Sequence, residues 1–185
     1  MDSDAARQPT VLVFAGPNGS GKSTVTRGLP TFGTYVNADD LKIEYSLTDL
    51  DAAQQAENLR NELLDRKVDF SFETVLSTDR NLALLKKAKA AGYEVQCIYV
   101  LTCDETVNVA RVRARVSAGG HNVPEDKIRS RYHRALALLP QLISICDKIL
   151  VYDNTEKPAL VFSKENAYSE YYPNEFCGLR GTIRP

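Results

Sequence analysis

The chain has 185 residues, of which 43% are hydrophobic and 25% are charged, and its formal net charge is -1. This size and composition are typical of a single globular domain with a buried core. The near-neutral charge argues against a nucleic-acid partner, and no apolar run approaches the ~20 residues that cross a membrane. With no apolar signal segment before residue 9 and four scattered cysteines, we expect a reduced, cytoplasmic protein with no membrane partner.

The strongest motif is a glycine-rich loop between an apolar run and the start of a helix. Residues 10–15 are Thr-Val-Leu-Val-Phe-Ala, which predicts a buried strand, and residues 16–24 are Gly-Pro-Asn-Gly-Ser-Gly-Lys-Ser-Thr. The Gly-x-x-x-x-Gly-Lys-Ser spacing after a strand predicts a Walker A phosphate-binding loop, or P-loop. Its glycines let the backbone turn and bring N–H groups against phosphate oxygens.

The P-loop predicts ATP and Mg²⁺ as cofactors. Lys22 is expected to reach the β- and γ-phosphates, and the Ser23 hydroxyl is expected to ligate the metal. The predicted nucleotide-binding residues of the loop are Gly16, Pro17, Asn18, Gly19, Ser20, Gly21, Lys22, Ser23 and Thr24.

Segments with strand and helix patterns alternate after the loop. Further strands are predicted at 34–37, 68–73, 93–101 and 148–153, with a last edge strand at 158–163. Helices are predicted from Asp39, from a cap at Asp49 to residue 67, from Thr78 or Asp79 to 91, from Asp104 to 116, and from Pro124, with Pro140 as a kink or a fresh start. Residues 164–185 give no firm assignment.

This alternation predicts an α/β fold of the P-loop NTPase type, with a parallel sheet of about five strands flanked by helices. We expect one domain over residues 1–185, with the core at 10–155, a helical lid at 111–134, and a C-terminal strand and tail at 156–185. Ligands of such sheets bind beyond the carboxyl ends of the strands. The polar side chains that follow the strands should therefore meet at one edge.

Two carboxylates at predicted strand ends are candidates for phosphoryl-transfer chemistry. Asp39 is a candidate base for an acceptor hydroxyl, although an Asp here also suits a helix cap. Glu73 would contact the acceptor or the metal, with a solvated strand-end carboxylate as the alternative. Asp153 also ends a strand, and for Asn154 and Thr155 we favour an adenine-side position over a Walker B site.

A basic segment in the middle of the chain predicts the lid. Arg111 and Arg115 lie four residues apart and share a helix face, whereas Arg113 points elsewhere. The pair Gly119-Gly120 would give a flexible joint, and His121 could bond a phosphate or organise the loop. A lid arginine could neutralise the transferred phosphoryl group, with a solvated basic face as the alternative.

These motifs, in this order, resemble those of the zeta-toxin family of P-loop kinases. The matching segments are residues 15–24, Asn37-Ala38-Asp39-Asp40, Ser71-Phe72-Glu73-Thr74, Gly92-Tyr93 before Tyr99-Val100-Leu101, and Arg115 with Gly119-Gly120-His121 and Val123-Pro124. The resemblance runs from about residue 11 to residue 154.

The resemblance implies an ATP-dependent kinase that phosphorylates a hydroxyl of a small-molecule acceptor, most simply a sugar nucleotide such as UDP-N-acetylglucosamine. Lys22, Asp39 and Arg115 would be catalytic, with Asp39 as the base. The residues implied near the acceptor are Asp39, Glu73, Thr74 and His121, and the implied metal ligands are Ser23 and Glu73. The resemblance also raises a proteinaceous antitoxin as a partner.

Two departures leave the acceptor open. His121 stands about where the larger toxins carry a second lid arginine, and residues 74–79 lack the basic side chain expected against a uridine diphosphate. An antibiotic or metabolite phosphotransferase of the chloramphenicol phosphotransferase type is the alternative. A non-kinase P-loop NTPase is less favoured, because the GTPase motifs Asp-x-x-Gly and Asn-Lys-x-Asp are absent.

Overall fold

Strands and helices alternate along residues 7–29, 32–120 and 122–173, the part of the chain that this computed structural model describes. The strands are β1 (Thr10–Ala15), β2 (Thr34–Val36), β3 (Phe70–Thr74), β4 (Glu94–Leu101), β5 (Lys148–Asp153), β6 (Ala159–Glu165) and β7 (Tyr168–Tyr171). The helices are α1 (Lys22–Thr26), α2 (Ala38–Tyr45), α3 (Asp49–Asp65), α4 (Arg80–Ala90), α5 (Glu105–Ser117) and α6 (Glu125–Ile145).

The strands form one sheet in the order β2-β3-β1-β4-β5-β6-β7. The first five in this order are parallel, which confirms the predicted parallel α/β sheet, and β6 and β7 add an antiparallel hairpin. The connection from β5 to β6 is too short for a parallel crossover, which explains the reversal. The predicted edge position of β6 is wrong because β7 lies outside it. β7 was missed because all four of its residues are exposed, so it has no buried face to give an apolar alternation.

The core lies on the face of the sheet that is covered by α3, α4 and α6. Val11 and Val13 of β1 and Tyr99 of β4 are fully buried there. Tyr93 places its ring in the same core, and its hydroxyl donates to the carbonyl oxygens of Leu63 and Val68, both at 3.0 Å. This packing fixes the parallel strands, and therefore the edge at which their carboxyl ends meet.

Helix caps decide where two helices begin. Thr48, not the predicted Asp49, caps α3, and its hydroxyl accepts from the Asp51 N–H at 3.2 Å. Asp49 lies one residue later and forms an ion pair with Lys42 at 2.6 Å. The predicted cap Asp104 is confirmed, because its carboxylate accepts from the Thr106 N–H at 2.6 Å at the start of α5.

Helix α6 continues through Pro140 instead of restarting there. Its buried positions Ile128, Tyr132, Ala135, Leu139 and Leu142 form one continuous stripe. Burial along this stripe outweighs the roughly 3 kcal/mol cost of a proline inside a helix. In the part of the chain that the structure describes, none of the helices has the length and apolarity to cross a membrane.

Candidate active site

A cavity of about 330 Å³ lies at the carboxyl end of the parallel strands, between the P-loop, β3 and α5. It is lined by Gly19, Gly21, Lys22, Ser23, Thr24, Glu73, Arg111, Val112 and Arg115. Three predicted site residues that lie far apart in sequence, Lys22, Glu73 and Arg115, therefore meet in one space. This is the arrangement expected when ligand-binding side chains follow parallel strands.

The glycines of the P-loop are required by its geometry. Gly19 and Gly21 have φ angles of +78° and +86°, a region that other residues rarely adopt. A side chain at Gly19 would overlap the backbone of Asn108, and one at Gly21 would overlap the amide of Asn154. The loop is thus packed closely against two buried asparagines, which leaves its other side open to the cavity.

The Lys22 amine interacts with carbonyl oxygens of the P-loop and with the charges of Glu73 and Arg115. Its amine donates to the carbonyl oxygen of Gly16 at 2.9 Å and more weakly to that of Pro17 at 3.4 Å. Burial lowers the pKa of the Lys22 amine below its ordinary value, the Glu73 carboxylate raises it, and Arg115 lowers it. A cation held by loop carbonyls and flanked by a carboxylate and a guanidinium is suited to binding a phosphate.

Two residues that the sequence-based prediction did not select lie on the β2 side of the site. Burial raises the pKa of Tyr35 to about 12, and the negative charge of Glu73 raises it further. Asn37 donates from its amide to the same hydroxyl at 3.4 Å. Tyr35 and Asn37 therefore extend the site toward β2. Their position at the end of β2, just before Asp39, is the sequence signal that could have found them.

Asp39 lies in the first turn of α2 with its side chain exposed. The cap of α2 is Asn37, whose side-chain oxygen accepts from the Asp39 N–H at 2.9 Å. The alternative that Asp39 itself caps this helix is therefore wrong. Its charge also makes a small contribution to the raised pKa of Lys42, which is due mainly to the hydrogen bond with Asp49.

The arginines of α5 divide as their spacing predicts. Arg111 and Arg115 both line the cavity, whereas Arg113 forms an ion pair with Glu125 at 2.5 Å. Arg111 donates from Nη2 to the Thr155 carbonyl at 3.0 Å, and its buried Nη1 has no hydrogen-bond partner among the described residues. A buried guanidinium nitrogen beside the P-loop is available for an anion. Arg111 was noted in the sequence but not selected as a site residue.

The glycine pair after α5 forms a hydrogen-bonded helix end, not the flexible joint that the sequence suggested. The Gly119 N–H donates to the Val116 carbonyl and the Gly120 N–H to the Arg115 carbonyl, both at 2.9 Å. His121, a predicted substrate contact, lies outside the described residues. The position of Arg115 is thus fixed at the last turn of a closed helix.

A further arginine reaches the P-loop from α6. Arg131 donates from Nη1 to the side-chain oxygen of Asn18 at 3.4 Å and is half-buried. The sequence shows it only as one of several basic residues on this helix, so nothing distinguished it before the fold was known. It brings a second helix of the predicted lid into contact with the loop.

Asn154 supports the loop from beneath. It is 4% exposed, and its side-chain amide donates to the Ser20 carbonyl at 2.8 Å. Its neighbour Thr155 bonds to the Asp153 carboxylate through both its N–H at 2.9 Å and its hydroxyl at 2.5 Å. The Asn154 nitrogen is occupied by this carbonyl, so its effect on a nucleotide would pass through the loop. A contact with adenine stays a prediction.

Thr74, another predicted substrate contact, uses its hydroxyl oxygen within the β3–α4 connection. That oxygen accepts from the Leu76 N–H at 2.9 Å and from the Asn81 amide at 2.7 Å. Its carbonyl accepts from the Gly16 N–H at 3.2 Å. In this arrangement Thr74 orders the connection that follows Glu73 at the end of β3.

The predicted metal ligands are consistent with a phosphate-bound magnesium ion. Ser23 and Glu73 line the same cavity, and Mg²⁺ in phosphoryl-transfer sites uses one or two protein oxygens, phosphates and water. Within residues 7–29, 32–120 and 122–173 there is no group of three or more His, Cys, Asp and Glu side chains that could hold a metal. The site therefore fits a metal brought in with a nucleotide.

The structure is similar to solved structures over most of its length. A chain of the AvrRxo1-ORF1:AvrRxo1-ORF2 complex, solved with sulphate ions, has a TM-score of 0.73 and 14% identity, covering 89% of this chain and 61% of that one. The same complex has been solved with ATP. A chain from the PezAT toxin-antitoxin system of Streptococcus pneumoniae has a TM-score of 0.58 and 19% identity, covering 89% of this chain and 72% of that one.

These structural likenesses show the fold, and sequence comparison shows the family. This chain spans 61% of the length of the AvrRxo1 chain that it matches. An uncharacterized protein of Haemophilus influenzae is 30% identical over 131 residues, which are 68% of this chain and 94% of that protein. The Zeta toxin family model matches residues 29–166, which include Asp39, Glu73 and Arg115 but begin after the P-loop. The chain therefore belongs to the zeta toxin family.

Proposed function

We propose that the protein is an ATP-dependent kinase that phosphorylates a hydroxyl group of a small-molecule acceptor. The observation that carries this proposal is the meeting of Lys22, Glu73 and Arg115 around one cavity beside the P-loop. The solved AvrRxo1 complex with ATP, which shares the fold, supports ATP as the nucleotide. Bound ATP would supply the phosphoryl group, and Mg²⁺ held by Ser23 and Glu73 would neutralise its oxygens.

On the phosphate side, this chain supplies positive charge from three side chains, one on the P-loop and two on α5. Lys22 would bind the β- and γ-phosphate oxygens from the loop, where its amine is already directed by the carbonyls of Gly16 and Pro17. Arg115 would neutralise charge that develops on the transferred group, and Arg111 would bind an oxygen with its buried Nη1. In this proposal α5 and α6 form the lid.

On the acceptor side, Asp39 would take the proton of the attacking hydroxyl. Its carboxylate is exposed and does not cap α2, so it is accessible to an acceptor. Glu73 is less suited to this role because it is directed toward Lys22 and Tyr35. Tyr35, which stays protonated through neutral pH, would orient the Glu73 carboxylate.

For the acceptor we propose a sugar nucleotide such as UDP-N-acetylglucosamine. The diphosphate of such an acceptor needs a cation on the side of β3 and α4. In this proposal Arg80 would supply it; Arg80 lies in the first turn of α4, directly after the segment 74–79 that lacks a basic residue, and it pairs with Glu57 at 3.2 Å. Arg60 lies over the Phe72 ring at 4.9 Å. Burial lowers the pKa of its guanidinium, Glu57 raises it, and the charge of Arg80 lowers it. A neutral antibiotic acceptor is the second candidate.

We further propose a proteinaceous antitoxin as a partner. The support is the origin of the structural relatives, since one comes from the PezAT toxin-antitoxin system. This proposal concerns control of the activity and is separate from the chemistry of the site.

The acceptor is tested by a screen with labelled ATP and Mg²⁺. UDP-N-acetylglucosamine is compared with other sugar nucleotides and with chloramphenicol, and Lys22→Ala serves as the inactive control. Phosphorylation of a sugar nucleotide, lost in Arg80→Ala, supports the proposed class. Phosphorylation of chloramphenicol alone would replace it with the antibiotic class, and no ATP turnover under any condition would contradict the kinase proposal.

A further inference from the structure

We infer that Asn108 is a positioning residue: it holds α5 against the P-loop and so sets how far Arg111 and Arg115 lie from the loop. The inference rests on the proposed function, because it concerns how the two guanidinium groups are held over a bound nucleotide. Asn108 is fully buried in α5, and neither its residue type nor its spacing marks it as part of a site.

Both ends of the Asn108 amide are engaged. Its Nδ2 donates to the backbone carbonyl of Asn18 in the P-loop at 2.6 Å, and its Oδ1 accepts from the hydroxyl of Thr102. The Asn18 carbonyl can only accept, so it fixes which side of the amide is the donor, and the remaining amide oxygen accepts from Thr102. The backbone at Asn108 also packs directly on Gly19, where a side chain would overlap its carbonyl oxygen. Asn108 therefore fixes the position of α5 relative to the P-loop.

The same helix face carries the arginines of the cavity. Asn108, Arg111 and Arg115 are spaced i, i+3 and i+7, so they share one face of α5. At 1.5 Å per residue, Arg115 lies roughly 10 Å further along the helix axis than Asn108. Once Asn108 is fixed to the loop, the distance of each guanidinium from the phosphate site is fixed by the helix itself.

Helix α5 transmits this position because it is packed as one unit with α6. Val109, Val112 and Ile128 form a small cluster of their own between the two helices. Arg129 of α6 pairs with Glu105 of α5 at 3.2 Å, and Arg113 of α5 pairs with Glu125 of α6 at 2.5 Å, so two ion pairs join the helices. Because α5 is held to α6 by this cluster and these ion pairs, a fixed point near the start of α5 governs the position of its whole cavity face.

Asn154 provides a matched control. It is also buried and also donates an amide hydrogen to a P-loop carbonyl, that of Ser20, at 2.8 Å. It follows β5, however, and not the helix that carries the arginines. Asn108→Ala and Asn154→Ala therefore remove similar bonds from the same loop, but only the first should displace Arg115.

The test is a double-mutant cycle with Arg115→Ala, measured as kcat for ATP turnover with the best acceptor. A misplacement of about 1 Å at a reacting centre can cost roughly 100-fold, so we expect Asn108→Ala to lower kcat by about 10- to 100-fold in the native background. In the Arg115→Ala background the same change should cost less than about 3-fold. Asn154→Ala should cost the same factor in both backgrounds. Equal losses for Asn108→Ala in both backgrounds would overturn the inference.

Hydrogen exchange of the free protein gives a result that does not depend on activity. Asn108→Ala should increase amide exchange in both the P-loop and α5, whereas Asn154→Ala should increase it in the P-loop alone. Unchanged exchange in α5 would overturn the inference even if the kinase proposal holds, and a wild-type protein without turnover would contradict the kinase proposal alone. If Asn108→Ala does not fold, Thr102→Val is measured in its place, because it removes the hydroxyl that holds the Asn108 amide oxygen and also donates to the Asp104 carbonyl.

Discussion

Glu73 and Lys22 line the same cavity beside the P-loop, and the Glu73 carboxylate raises the pKa of the Lys22 amine. Burial lowers the pKa of the lysine, and the glutamate acts against this effect. The two residues are 51 positions apart in sequence, and they meet because β1 and β3 are parallel neighbours with Phe14 opposite Glu73. A nucleotide that binds here would have a cation on its phosphates and a carboxylate placed for a metal.

Lys22→Ala should abolish phosphoryl transfer and weaken nucleotide binding. The amine is the loop cation at the cavity, and its removal takes away both ground-state and transition-state contacts with phosphate. ATP affinity measured by calorimetry, together with turnover, checks this expectation. Lys22→Met is the control for folding. Because burial disfavours the charged amine, we expect the free energy of unfolding of Lys22→Met to be no lower than that of the wild type. If Lys22→Ala were inactive only because it does not fold, this account would be contradicted.

Asp39→Ala should remove acceptor turnover and leave ATP affinity within about 3-fold of wild type, because the residue acts on the hydroxyl and does not line the phosphate cavity. Asp40→Ala is the matched control, since it is the adjacent exposed carboxylate in the same helical turn. Initial rates at saturating acceptor report the transfer of the phosphoryl group, and a separate measurement reports ATP binding. Full turnover in Asp39→Ala would show that another group is the base.

Arg115→Ala should lower kcat by at least about 100-fold with a much smaller change in ATP affinity, because its charge is needed most when negative charge develops on the transferred group. Arg113→Ala lies on the same helix but pairs with Glu125 outside the cavity. It should keep kcat within about 3-fold, since an exposed ion pair contributes little to stability. A change confined to KM in Arg115→Ala would argue against a role in the transition state.

Tyr35 should make the folded state less stable at alkaline pH. Its pKa is raised from 10.0 to about 12, first by burial and then by the charge of Glu73. Between these values the unfolded chain loses the proton while the folded protein keeps it, so the free energy of unfolding falls as pH rises through this window. Tyr35→Phe should reduce this fall.

Urea unfolding of both proteins at several pH values between about 9 and 12 provides the measurement. Other buried tyrosines, including Tyr99, have raised pKa values and contribute a common background to both curves. Parallel curves for wild type and Tyr35→Phe would mean that Tyr35 titrates as it does in the unfolded chain.

The sequence predicted the parts of the site that follow local rules. Spacing identified the P-loop, the alternation of strands and helices placed Glu73 at the edge where the loop lies, and the spacing of the arginines on one helix placed Arg115 in the lid. Helix periodicity also separated Arg113 from Arg115. These features depend on neighbouring residues or on the general handedness and direction of parallel sheets.

The residues that the sequence did not predict depend on contacts between distant segments. Asn108 looks like an ordinary polar residue until the fold places it 2.6 Å from the Asn18 carbonyl of the P-loop. Asn154 was predicted on the adenine side, but its bond to the Ser20 carbonyl at 2.8 Å was not. Arg131 is one of several basic residues on α6, and only the packing of this helix brings it to Asn18. No local pattern carries such information.

Phosphorus NMR of a reaction with ATP, Mg²⁺ and the acceptor found by the screen tests the central claim most directly. The account predicts one phosphomonoester on the acceptor for each ADP formed by the wild-type protein, and no phosphomonoester with Asp39→Ala even when ATP is bound. The opposite result would be ADP and inorganic phosphate that form at the same rate with and without acceptor, while no phosphorylated acceptor appears. That result would contradict a kinase site in this cavity.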